Sequence, residues 1–198
     1  MIRVLMVDDD PHMLELTRIF LERSGDLEVD TTASAAEALE KLIDERCSYR
    51  VVISDYVMPE MDGITFLKAV RSRKLGIPFI LFTGKSRKEV VIEALNCGAD
   101  YYMQKDGDPK VLFAELSHQI RQAADRERSR KEDLIQRDLA LKLSGTTSLS
   151  AALKLCVDAA IEVSETDCGT MYLLDRSSGS FVLSHSVGFS SEFIEAIS

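Results

Sequence analysis

Val51-Val52-Ile53-Ser54-Asp55-Tyr56-Val57-Met58-Pro59-Glu60-Met61-Asp62-Gly63-Ile64-Thr65-Phe66-Leu67-Lys68-Ala69-Val70 passes through two periodicities. Val51-Val52-Ile53 is an apolar run too short for a helix, so it reads as a buried strand ending at Asp55. Met58 to Gly63 is a loop, and Ile64, Phe66, Leu67 and Val70 begin a helical stripe. The same unit recurs on both sides. Ile2 to Val7 is a strand closed by Asp8-Asp9-Asp10, with Asp10 as N-cap and Pro11 at the first helical position. Met13, Leu14, Leu16, Ile19, Phe20 and Leu21 form a stripe that stops at Ser24-Gly25. Leu27 to Ala33 is a weaker strand, and Ser34 with Glu37 predicts a capping box. Pro78 to Phe82 is a strand ending at Thr83-Gly84, and Val90 to Leu95 is a helix stopped by Asn96-Cys97-Gly98. Ala99 to Met103 is a short strand ending at Lys105. Strands alternating with helices imply an α/β fold with a parallel sheet and right-handed crossovers.

Composition sets outer limits. The 198 residues allow one large or two small domains. An apolar fraction of 45% with 29% charged residues fits a folded chain that can bury its core without staples. A net charge of −9 argues against a general binder of nucleic acid or anionic membrane. No apolar run approaches the roughly 20 residues of a membrane span, and Met1-Ile2-Arg3-Val4-Leu5 is not a signal peptide. Cys47, Cys97, Cys156 and Cys168 show no C-x-x-C spacing, which points to a reduced, cytoplasmic compartment and away from zinc.

In a parallel α/β sheet, ligands sit beyond the carboxyl ends of the strands. Those ends carry Asp8 and Asp9, Asp55, Thr83 and Lys105. A lone Asp there is usually a turn former. One chemically apt residue on each of four strands is far harder to obtain by chance. Clustered carboxylates call for a hard cation, and oxygen-only ligands suit Mg²⁺. A carboxylate nucleophile, Mg²⁺, a Lys and a hydroxyl are the parts needed for phosphoryl transfer to an aspartate.

Val7-Asp8-Asp9, Ile53 to Gly63, Phe82-Thr83-Gly84 and Gly98-Ala99-Asp100-Tyr101-Tyr102-Met103-Gln104-Lys105 together resemble the receiver domain of two-component response regulators, over about residues 1–124. The resemblance implies a flavodoxin-like, doubly wound, five-stranded parallel sheet of order 2-1-3-4-5. It implies Asp55 as phosphoacceptor, with Asp8, Asp9, Asp55 and the Val57 main-chain carbonyl as Mg²⁺ ligands. Lys105 matches the residue that pairs with the phosphoryl group. Thr83 matches the switch hydroxyl and Tyr102 the aromatic switch, while Gly84 fits the small residue that leaves the phosphoryl accessible. The donor would be a histidine kinase or phosphotransfer protein. The receiver would catalyse its own phosphorylation and dephosphorylation, with no independent enzyme in the chain. Asp106 stands where the family usually has a Pro, often cis. Val57 and Lys85 occupy positions that tune phosphoryl lifetime. An apolar Val57 gives an attacking water little help, which implies a long-lived phosphoryl.

From Pro109 the pattern is helical for a long way. Heptads from Ile120 give Glu127, Leu134 and Leu141, and the alternate positions are Ala123, Arg130 and Arg137. The seam is polar in its middle, so a solvated linker helix and a parallel dimer coiled coil stand about level. Leu149 to Val163 is an amphipathic helix. Gly169 to Leu174 and Phe181 to Val187 form a hairpin around Arg176-Ser177-Ser178-Gly179, and Ser190 to Ile197 starts another helix. The run from about 134 to 198 resembles the start of a GAF domain. The expected organisation is a receiver at 1–124, a helical linker at 125–143, and at 144–198 the N-terminal, truncated part of a GAF-like α+β domain. A homodimer would form through the receiver face or the linker helix.

Other signals weigh less. Gly84-Lys85-Ser86 resembles the end of a P-loop, but Phe79 stands where its first Gly belongs. His118 lacks the surroundings of a kinase phosphoacceptor, Arg121–Lys131 reads as a solvated face, and no helix-turn-helix follows. Two alternatives remain. Asp8-Asp9-Asp10 could be an Asp-x-Asp nucleophile of the haloacid-dehalogenase type, although His12 replaces its Thr or Val. The chain could also be a ligand sensor whose receiver is only a dimerisation platform.

Overall fold

Five strands lie parallel in the order β2-β1-β3-β4-β5, as the flavodoxin-like reading expects. In the computed structural model, which describes residues 1–44, 48–84, 88–190 and 194, β1 is Ile2–Val7, β2 Leu27–Thr32, β3 Val51–Ser54, β4 Phe79–Thr83 and β5 Tyr101–Gln104. The helices between them are α1 (Pro11–Glu22), α2 (Ala35–Ile43), α3 (Gly63–Ser72) and α4 (Lys88–Asn96), and α5 (Pro109–Ser144) follows β5. Both sheet faces are covered. This is why the strands are continuous apolar runs and not alternating ones. Leu5, Val7, Val52, Phe79 and Leu81 face one core with residues of α2, α3 and α4. Val4, Met6, Ile53, Ile80 and Phe82 face the other, with Leu14 and Leu21 of α1 and Leu112, Phe113, Leu116 and Ile120 of α5.

Local chemistry sets the element ends. The Asp10 carboxylate accepts the His12 N–H, capping α1 in front of Pro11. The Ser34–Glu37 box forms only in one direction. Ser34 accepts the Glu37 N–H at 3.5 Å, but the Ser34 N–H donates to Thr32 Oγ1. Glu37 Oε2 instead accepts from the Thr32 hydroxyl at 2.8 Å, and its other oxygen pairs with Lys41. A nearby hydroxyl and ammonium thus outcompete the reciprocal cap. Strand β5 starts at Tyr101, later than the apolar pattern suggests, because the Ala99 N–H still donates to Ala94 O at the end of α4. Gly98 takes φ +92 there, as the Asn96-Cys97-Gly98 stop predicts.

The chain divides into two compact units, Met1–Glu127 and Arg128–Ser198. Helix α5 is 36 residues long and runs through the division. Its first turns bury Ile120 and Ala123 in the core of the first unit, so those two positions of the heptad frame are closed to a partner helix, whereas Leu134 and Leu141 are exposed. The second unit contains α6 (Leu149–Ser164) and an antiparallel pair, β6 (Gly169–Asp175) and β7 (Ser180–Val187). Helix α6 lies so close to β6 that a Cβ on Gly169 would come within 2.9 Å of Ile161 Cγ1. The Arg176–Gly179 turn closes through a Gly179 N–H to Asp175 O bond of 2.8 Å. The helix expected at 190–197 lies outside the described residues except for Ser190 and Ile194, as do Cys47, Lys85 and Ser86. Among the described residues, no helix is long and apolar enough to cross a membrane.

Candidate functional site

The parallel register brings the ends of β1, β3, β4 and β5 to one edge of the sheet. Val7 pairs with Ser54, so Asp8 and Asp55 are the next residues on adjacent strands, and the Asp55 N–H donates to Val7 O at 2.8 Å. Thr83 pairs with Gln104, so Lys105 follows beside it, and its N–H donates to Thr83 O at 2.9 Å. The end of β1 contributes Asp8 and Asp9, and the ends of β3, β4 and β5 contribute Asp55, Thr83 and Lys105.

Lys105 Nζ lies 2.5 Å from Asp8 Oδ2 and 2.8 Å from Asp55 Oδ1. The Lys105 side chain is 11% exposed and that of Asp8 only 1%. A buried ammonium with two carboxylates is a strong local constraint, because removing any member leaves a charge without water. Burial pushes the Asp8 carboxyl above its ordinary value, while Lys105 and the Asp10 N–H pull it down. Both Asp8 oxygens are engaged, since Oδ1 accepts the Asp10 N–H at 3.0 Å.

One carboxylate oxygen from each of Asp8, Asp9 and Asp55 lies within 4.8 Å of the others. Three carboxylates face one ammonium, which leaves negative charge to neutralise. An all-oxygen set of that charge fits Mg²⁺, with Asp9 exposed on the solvent side.

The loop after Asp55 is held by Asp55 itself. Its Oδ2 accepts the Val57 N–H at 2.8 Å, and Val57 is 42% exposed. The Gly63 N–H donates to Tyr56 O at 2.9 Å. A Cβ on Gly63 would run into the Asp55 carbonyl oxygen and come within 2.8 Å of Leu81 Cδ1. Helix α3 therefore starts hard against the backbone of the central carboxylate, and only glycine permits it. Asp62 caps that helix by accepting the Thr65 N–H at 2.7 Å.

Thr83 is buried at the end of β4, and Tyr102, paired with Leu81, is half-buried against the α4 side of the sheet. All of Asp8, Asp9, Asp55, Val57, Thr83 and Lys105 thus lie at one end of the sheet, with Tyr102 three residues before Lys105 on β5. No cis peptide occurs among the described residues, so Lys105–Asp106 is trans. Sequence reading passed over Gly63 as a positioning residue and over a cluster on α5. There Tyr101 Oη donates to Gln122 Oε1 at 2.7 Å, Arg126 lies over the Tyr101 ring, and Arg121 is bonded to Asp26 at 2.7 and 3.0 Å. The period-two alternation of β5 places Tyr101 opposite Tyr102 and could have flagged it. Partners so far apart in the chain carry no local signal.

The family model for the response regulator receiver domain matches residues 4–117. Response regulator SaeR of Staphylococcus aureus (strain USA300) is 32% identical over 118 residues, covering 60% of this chain and 50% of SaeR. The chain therefore spans about half the length of the curated relatives it matches. Among solved structures, the CheY-like receiver domain protein of Methanospirillum hungatei JF-1 is 30% identical with a TM-score of 0.56, covering 64% of this chain and 98% of its own. The chemotaxis response regulator CheY4 of Vibrio cholerae is 34% identical with a TM-score of 0.52, covering 60% and 98%.

Proposed function

The chain belongs to the response regulator receiver family, and from that premise we propose that it accepts a phosphoryl group on Asp55 from a histidine kinase or phosphotransfer protein. The observation that carries the reading is the Asp8–Lys105–Asp55 arrangement, with bonds of 2.5 and 2.8 Å, at the end of a buried sheet. In the transfer the N–P bond of a phosphohistidine breaks and an O–P bond to the Asp55 carboxylate forms. The donor imidazole leaves with the bonding electron pair. Asp8, Asp9, Asp55 and the Val57 carbonyl would hold Mg²⁺, which when bound neutralises charge on the transferred oxygens. Lys105 already lies against Asp55 and would pair with the phosphoryl oxygens, while the Thr83 hydroxyl would donate to another. The Val57 N–H fixes one Asp55 oxygen in orientation. Phosphorylation then biases two pre-existing states through Thr83 and Tyr102, and α5 carries the bias onward.

In this reading the segment beyond α5 is GAF-like. Its support is the pattern of a helix, α6, lying against an antiparallel hairpin, with Ile161 and Val157 beside Gly169 of β6. Homodimerisation through the receiver face or the linker helix belongs to the same proposal, with exposed Leu134 and Leu141 as contacts on the helix. A cytoplasmic setting goes with it, since the three described cysteines are free.

Acetyl phosphate with Mg²⁺ tests the assignment. A stable label on Asp55, abolished in Asp55→Asn and by chelation of Mg²⁺, is the expected result. Labelling lost in Asp8→Asn but kept in Asp55→Asn would instead point to an Asp8 nucleophile of the haloacid-dehalogenase type. No label on either, with an unchanged oligomeric state, would favour the dimerisation platform.

A further inference from the structure

Adjacent residues of a strand face opposite sides of the sheet. On β5 this separates two tyrosines. Tyr102 packs on the side of Leu81, Val90 and Ala94, while Tyr101 packs on the side of Phe113, Leu116 and Ile120 of α5. The Tyr101 hydroxyl donates to Gln122 Oε1 at 2.7 Å, and one turn later the Arg126 guanidinium carbon lies 5.6 Å from the Tyr101 ring centroid. Both contacts fall on the last turns of α5 inside the first unit, which ends at Glu127.

Apolar packing also attaches these turns to the sheet. Ile120, Ala123 and Ala124 are buried, but apolar contact is non-directional and tolerates sliding. A hydrogen bond of this length does not, since it weakens steeply with angle and is gone by about 3.6 Å. The Arg121 fork onto Asp26 ties α5 to the loop before β2, an element that bears none of the site groups. Tyr101 is therefore a directional tie between α5 and the strand that leads into Lys105.

We infer that Tyr101 is a positioning residue that couples the state of the Asp55 pocket to α5, through its bond to Gln122 and its stacking under Arg126. The inference rests on Asp55 being the phosphoacceptor. A shift of β5 that accompanies repositioning of Lys105 and Tyr102 either carries Gln122 with it or breaks the bond. In both cases the helix receives a discrete signal where it leaves the receiver.

The test uses the whole chain with beryllofluoride and Mg²⁺ as the phosphoryl mimic. Fluorine NMR reports binding and hydrogen exchange reports α5. In the unmodified chain the mimic should bind and change protection over residues 119–131 by roughly two- to tenfold, the range set by one net hydrogen bond. In Tyr101→Phe and in Gln122→Leu the bound fluorine signal and the exchange changes at 102–105 should persist, while the α5 response disappears. Gln122 lies on a partly open helix face, so Gln122→Leu breaks the same bond if the tyrosine variant folds poorly. A merely structural role would lower thermal stability and leave the α5 response intact, and that result would overturn the inference. So would an unmodified chain that binds the mimic with no change in α5. Absence of bound fluorine signal in the unmodified chain, or its equal presence in Asp55→Asn, would remove the phosphoacceptor reading itself and the inference with it.

Discussion

Gly63 has no side chain, and its backbone occupies space that a methyl group would contest with the Asp55 carbonyl. Gly63→Ala should therefore cost about 1–3 kcal/mol in urea unfolding, the usual range for overpacking. It should also slow acetyl phosphate labelling of Asp55, because α3 and the Val57 turn move together. Val57 makes a second prediction. Val57 is 42% exposed beside a carboxylate that its own N–H orients. Val57→Asn places an amide where a water would attack, so the half-life of the Asp55 label should shorten. An unchanged half-life would refute the role given to Val57. Most of the charged site was legible residue by residue, since Asp8, Asp55 and Lys105 each end an apolar run and such ends converge in a parallel sheet. Gly63 was not, because its constraint comes from Asp55 and Leu81 across a loop and a neighbouring strand.

At the scale of elements, α5 matters most. Phe113 stacks on Phe20 of α1 at 4.8 Å between centroids and meets Phe82 of β4 edge-on at 6.4 Å. It thus joins two helices to the sheet. Phe113→Ala should lose about 3–5 kcal/mol in chemical denaturation, the range for a buried aromatic. Arg121 and Asp26 form a more exposed tie. The side-chain hydrogen bond from Arg121 holds the Asp26 carboxyl well below its ordinary 3.8. A depressed carboxyl contributes stability above the unfolded value and loses it as pH falls through the folded one. Asp26→Asn should therefore lower the midpoint of urea unfolding at pH 6. The difference from the parent should close as pH falls below 3.8, and should shrink with added salt because the pair is solvent-exposed. Helix starts were well anticipated where one cap governs them, as Asp10 does for α1. The capping box at α2 went otherwise, because Thr32 and Lys41 reached Glu37 first.

The whole molecule comprises two compact units, and binding to one should not stabilise the other unless they couple. Beryllofluoride with Mg²⁺ should raise the calorimetric transition of the receiver, by about 2.7 kcal/mol at a hundredfold excess over Kd. A second transition, from residues 128–198, should stay in place. A single transition that moves as one would mean that α5 makes the two units one cooperative body. At this scale the long helix was legible, but its use was not. Ile120 and Ala123 fit a heptad frame equally well whether they face a partner helix or a sheet.

The sequence by itself determined the layered α/β fold, the convergence of Asp8, Asp55, Thr83 and Lys105, and the existence of α5. All of these follow from short-range patterns, namely apolar period, caps and strand ends. Tertiary structure alone decided that Lys105 bonds both Asp8 and Asp55, that Gly63 abuts the Asp55 carbonyl, and that Tyr101 holds Gln122. Those contacts join residues on different elements. Their distances depend on sheet twist and packing, which no local run of residues encodes.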